Sequence, residues 1–118
     1  DMAHFVVESN LNLKHGFFGN IAKGFSVSQL SDKNFIKTLP QESIEAEIIT
    51  RALQSLYSGT CAQEDFKMMI QSEFDAIGIK STIDLNLMNL EKWLMEYVAF
   101  INQWEQLKLG EYLEIDWI

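Results

Sequence analysis

Over residues 84–108 the chain reads DLNLMNLEKWLMEYVAFINQWEQLK, and Leu87, Leu90, Leu94, Val98 and Ile101 recur at intervals of three and four. Trp93, Tyr97 and Trp104 flank that stripe, while Asn89, Lys92, Glu96, Gln103 and Gln106 fall largely on the other side. This is the period of an amphipathic helix and not of a strand, and it predicts a single helix of about seven turns at roughly 3.6 residues each. So wide an apolar face needs several partners to cover it. The stretch is therefore expected to organise the fold around itself.

Shorter patterns precede it. Ala3, Val7 and Leu11 are spaced by four and predict a first helix within residues 2–15, stopped by Gly16. The β-branched and aromatic run HFVV offers a short strand as the competing reading, and helix is favoured. Phe17, Ile21 and Phe25 suggest a second short helix, softened by Gly16, Gly19 and Gly24, since an interior glycine costs about 1 kcal/mol against alanine. Residues 26–31 are turn-like in composition. Ser31 is expected to cap a short helix over 32–37 that buries Phe35, Ile36 and Leu39.

Thr38, Pro40 and Gln41 together read as a helix start: a hydroxyl for the unmatched amides, a residue with no amide to lose, and a side chain able to reach back. That helix runs to about Ser58 through Ile44, Ile48, Ile49, Ala52, Leu53 and Leu56, and Gly59 ends it. Thr60 and Gln63 repeat the start signal for a helix that buries Phe66, Met69, Ile70, Phe74 and Ile77. Gly78 stops it, with Ile79 packing back on Phe74. Ser81 and Asp84 are expected to open the long helix, and Gly110 follows its last turn. The closing EYLEIDWI alternates in part and fits a short extended tail anchored by Leu113, Ile115 and Trp117 or Ile118. Apart from the tail, every element these patterns predict is helical, and the connections are short. The expected fold is an all-α, single-domain antiparallel bundle of about five to six helices with a short C-terminal tail.

Size and composition support one such unit. A chain of 118 residues holds one ordinary core, and 47% hydrophobic with 22% charged residues is a globular composition. Cys61 is the single cysteine, so no intramolecular disulfide forms, which fits a reducing, cytoplasmic setting. No stretch is apolar enough to span a bilayer, and DMAHFVVESN lacks the organisation of a signal peptide. Asp1 ahead of Met2 suggests that Met2 is the native start and Asp1 an addition.

Charge changes the picture more. The net charge is −8, unevenly placed: residues 9–40 carry four lysines against Asp32, a net +3, while residues 41–118 carry fourteen acids against Arg51 and four lysines, a net −9. Such a field repels nucleic acid and anionic lipid and attracts a basic macromolecule. Acidity also serves solubility alone, so the charge by itself leaves both readings open.

The chain shows no catalytic constellation. His4 and His15 are eleven residues apart, too far on one helix to share a metal or a proton relay, and each is expected to be a surface or half-buried residue. There is no His-Glu-x-x-His or Glu-x-x-His, GFFGNIAKGF has no phosphate-loop spacing, and the calcium-loop pattern from Asp84 fails at Met88 and Asn89. Cys61 near a helix start is either an activated thiol or, the preferred reading, a buried structural one. No cofactor, metal or nucleic acid is expected. What remains is protein binding. The first candidate is the tail, where Glu111, Glu114 and Asp116 are interleaved with Tyr112 and Trp117. Against this, Tyr112 and Trp117 can simply fasten the terminus to the core. The second candidate is Glu42, Glu45 and Glu47, otherwise a solvated helix face, and the third is Glu73 with Asp75.

Small, acidic, helical and without catalytic residues, the chain resembles in its general character, and in the run ESIEAEIITRALQSLYSG onward, the immunity proteins of bacterial contact-dependent inhibition and colicin-type systems. The resemblance implies a cytoplasmic protein that is not an enzyme and that binds a basic nuclease toxin. It would cover the active site or substrate-binding surface, with a ribonuclease of RNase A-like type as one expected partner. A helical adaptor or regulatory subunit is the alternative.

Overall fold

The structure is a computed structural model that describes residues 2–117; Asp1, Ile118 and the side chain of Leu87 lie outside the described residues. Its regular elements are all helical: α1 (Met2–Asn10), α2 (Phe17–Ala22), α3 (Val27–Leu30), α4 (Lys33–Ile36), α5 (Gln41–Ser58), α6 (Phe66–Ala76) and α7 (Leu90–Glu105), with 3₁₀ turns at Gln63–Asp65 and Leu85–Leu87. Seven α-helices stand where five or six were expected, because the chain before Pro40 is cut into four short pieces. No described helix is long and apolar enough to cross a membrane.

The first helix, not the last, is the one that the others surround. Ala3, Val6 and Val7 have no exposed surface, and α1 packs on α5, α7 and α2. Valine loses a few tenths of a kcal/mol in a helix, whereas fully burying its side chain is worth about 1.5–3 kcal/mol, so packing overrides the strand preference of HFVV. Ala46, Ile48, Ile49, Ala52 and Leu53 of α5, and Phe66, Ile70 and Phe74 of α6, complete one core. Trp93 is the one α7 residue in its fully buried part.

The long-helix expectation is corrected at its start. Asp84 caps the 3₁₀ turn, accepting from the Asn86 amide at 2.9 Å, and α7 begins only after Asn89, whose Oδ1 accepts from the Lys92 amide at 3.1 Å. Two Asx caps in six residues stop the helical run from propagating upstream. Other boundaries move for similar reasons. Ser26 and Gln29 form a reciprocal capping box on α3, in a stretch expected to be a turn. Asp32, not Ser31, caps α4. Thr38 bonds back to the Phe35 carbonyl and leaves the start of α5 to Pro40, while the Gln41 amide reaches forward to Glu45. Thr60 closes α5 instead of opening α6: its amide bonds to the Ser55 carbonyl at 3.0 Å across Gly59, which holds φ +84°. The same closure recurs at Gly78, where the Ile79 amide reaches the Phe74 carbonyl at 2.9 Å and Ile79 packs on the core as expected. Ile77 is exposed, and Met69, Phe35, Ile36 and Leu39 are half-buried where burial was expected.

Candidate partner-binding surface

Two groups of acids behave in opposite ways. The first is internal. Glu8 is fully buried on α1 and accepts the amides of Phe17 at 2.7 Å and Phe18 at 2.9 Å, fixing the start of α2. Its carboxylate also lies 2.9 Å from His4 Nδ1, one turn back on α1, while His4 Nε2 lies 3.1 Å from Glu47 on α5. Burial opposes the charged imidazole, but the hydrogen bonds to Glu47 and Glu8 outweigh it and hold the His4 pKa above its ordinary value. The bond from His4 in turn holds Glu47 below the usual carboxylate range, against the effect of burial. Nearby, buried Asn20 donates to the His15 carbonyl at 3.0 Å and to Ser43 Oγ at 3.1 Å. The space between His4, Phe17, Asn20, Ser43 and Glu47 is about 20 Å³, room for about one water molecule and for no substrate. This network locks helices together.

The expected cluster at the start of α5 is tied into the fold to different depths, with Glu45 buried, Glu42 half-buried and the Glu47 side chain 44% exposed, so the reading as a solvated face is corrected for Glu45. Glu45 is only 4% exposed and accepts from Gln41, Glu42 accepts the His15 amide at 2.8 Å, and Glu47 holds His4. The lone acids Glu73 and Asp75 are also engaged, with Arg51 at 3.2 Å and Gln71 at 2.9 Å. His4 is half-buried, as expected, and is engaged by two carboxylates. The spacing His4-x-x-x-Glu8, one helical turn, was the available signal for it. Cys61 is buried, its Sγ donating to the Ala62 carbonyl, and burial together with Asp65 and Glu64 pushes the thiol up, away from an activated thiolate.

The second group faces outward at the other end of the chain. Leu113, Ile115 and Trp117 of the tail turn inward and half-bury, while Tyr112, Glu114 and Asp116 between them are exposed. Trp117 stacks on Phe18 at 5.8 Å and meets Phe5 edge-on at 6.0 Å between ring centroids, so it fastens the tail. Tyr112 is 75% exposed and fastens nothing inward. Glu111 accepts the Lys108 amide at 2.6 Å and closes the turn at Gly110. Among the described residues, Glu91, Glu105, Glu114 and Asp116 have no hydrogen bond or ion pair from their side chains. Large apolar side chains are also exposed: Trp104 near the end of α7, Leu109 and Tyr112 after it, and, on the outer face of α7, Met95 and Val98.

Among the described residues, no group of three His, Cys, Asp or Glu side chains is placed to hold a metal ion. Compared with known proteins, the chain matches no family model, no curated protein and no solved structure.

Proposed function

We propose that the protein works by binding and neutralising a basic protein partner, of the nuclease-toxin class that its acidic helical character suggests. The observation that carries this reading is that Glu105, Glu114 and Asp116 are exposed acids without internal partners, in a stretch of chain whose Trp104 and Tyr112 rings are also exposed. Acids already committed inside the fold contribute field but no contacts. Acids at the C-terminal end keep their hydrogen-bonding capacity for lysine and arginine, or for the positions where a nuclease holds phosphates. Aromatic residues beside them supply the buried centre that slow dissociation requires. A net charge of −8 raises the encounter rate with a cationic surface, and that gain fades with salt.

The test is an equimolar mixture with the basic C-terminal nuclease domain of a secreted protein encoded beside this gene. Nuclease activity is expected to disappear. Activity that persists at severalfold excess of this protein would end the proposal. A helical adaptor or regulatory subunit is the second reading, and the exposed Met95 and Val98 on the outer face of α7 favour it. In that case binding would be largely insensitive to salt.

A further inference from the structure

Trp93, Tyr97, Phe100, Ile101 and Trp104 share one side of α7, each three or four residues from the next apart from the adjacent pair Phe100 and Ile101. Trp93 on that side is 2% exposed, Tyr97, Phe100 and Ile101 are half-buried, and Trp104 is 60% exposed. The core-facing stripe therefore runs past the body that covers it. Beneath the overhang is an open hollow of about 410 Å³ bounded by Met2, Tyr97, Ile101, Trp104 and Glu105, with walls mostly of carbon. Tyr57 of α5, itself exposed, extends the aromatic wall through its contact with Tyr97 at 5.1 Å between centroids.

We infer that this hollow is the anchor point of the interface: it takes an aliphatic or aromatic side chain of a basic protein, with an adjacent lysine or arginine set against Glu105. The inference rests on the neutraliser reading for the identity of the partner, not for the existence of the site. Apolar walls with two aromatic rings and one carboxylate at the mouth are the chemistry that a large side chain flanked by a cation satisfies. The cation gains both the carboxylate and the faces of Trp104 and Tyr97. Glu105 has no ion-pair partner among the described residues, Lys108 one turn later included, so the position opposite it is available. A second copy of this chain fits less well. Each copy carries −8, and a two-fold contact would bring Glu105 near its own equivalent.

The experiment uses the full chain and three labelled amphipathic peptides of one pattern, built from Lys and Leu, from Glu and Leu, and from Lys and Ser, read by fluorescence anisotropy. The Lys/Leu peptide is expected to bind and to protect Trp104 from acrylamide quenching, and the other two are not. Trp104→Ala and Ile101→Glu should each weaken binding about tenfold or more, the equivalent of about 1.4 kcal/mol. Glu105→Gln should weaken it severalfold and flatten its salt dependence. Met95→Glu, with the same charge change on the outer face of α7, serves as the control for Ile101→Glu and should bind as the parent does. Equal binding by the Glu/Leu peptide, or no effect of Trp104→Ala, would overturn the inference. So would self-association that Ile101→Glu abolishes, which would give the hollow to a second copy. Nuclease neutralisation by Trp104→Ala equal to the parent's would sink the hollow and leave the neutraliser reading standing. Peptide binding as expected without any neutralisation would do the reverse.

Discussion

The Nε2 atom of His4 lies 3.1 Å from a carboxylate oxygen of Glu47, a polar link between α1 and α5 at the edge of their apolar contact. Both groups titrate with shifted pKa values, and the signs are opposite. His4 is raised above 6.5, so its contribution to stability is full below about that pH and is lost as pH rises through the higher folded value. Glu47 is lowered from 4.5, so its contribution is full above that pH and is lost as pH falls through the lower folded value. The pair therefore stabilises the fold most between pH 4.5 and 6.5. Urea unfolding across pH should show the midpoint falling on the alkaline side of that window, with the alkaline fall reduced in His4→Gln. A His4→Gln profile parallel to the parent's would contradict the assignment.

Glu8 leaves no room beside it. A Cβ added at Gly16 would stand 2.3 Å from Glu8 Cδ, whereas one added at Gly24 would meet nothing within 4 Å. Gly16→Ala must displace a fully buried carboxylate that holds two backbone amides, and a cost of about 1–3 kcal/mol is expected. At Gly24 only the left-handed backbone opposes alanine, for about 1–2 kcal/mol, and the pH profile of stability should be unchanged. Chemical denaturation of the two variants separates a clash that disturbs the His4 network from simple backbone strain.

Burial along α7 should be read out directly by truncation. Trp93→Ala is expected to cost about 3–5 kcal/mol, as is Phe66→Ala or Phe74→Ala in α6. Met95→Ala on the exposed face should fall within about 0.5 kcal/mol of the parent. Thermal unfolding that ranked Met95→Ala with Trp93→Ala would mean that the outer face is covered.

Tail contacts divide between rate and lifetime. Glu114→Gln with Asp116→Asn should slow association with a basic partner and weaken its salt dependence, leaving dissociation nearly unchanged. Tyr112→Ala should mainly speed dissociation. Surface plasmon resonance at two salt concentrations distinguishes these effects, and an unchanged association rate in the double variant would remove the tail from the interface.

Cys61 should react slowly with thiol reagents at neutral pH, since it is buried and its thiol is pushed up by burial and by the acids that follow it. Rapid modification of the folded protein would show that this segment opens readily.

Where backbone chemistry is local, it was legible in the sequence. Gly59 and Gly78 end α5 and α6 with left-handed turns, and the apolar period of α5 predicts its buried face. The capping box at Ser26 and Gln29 was equally visible, but a helix of four residues is too short for periodicity to register. Periodicity also overstated α7, because Asn89 and Asp84 offer competing local hydrogen bonds that a hydrophobic stripe does not record. Coverage is a property of the whole fold. Nothing in the spacing of Trp93 and Trp104 tells that one is sealed and the other open. The engagement of Glu42, Glu45 and Glu47 depends on His15, Gln41 and His4, partners on three different segments, so charge counting assigned them to the surface.

The way α7 is mounted sets how the molecule can yield. Trp93 clamps the helix near its root, Tyr97 and Phe100 still rest on the core, and the last turn, with Trp104 60% exposed, stands clear of it. Trp104 lies one turn past Phe100, a lever of roughly 1.5 Å per residue over four residues, so a small bend of that turn moves its ring by the bend angle times that short length. An arriving surface can therefore tilt the free end to suit its own contour while the interior packing stays undisturbed.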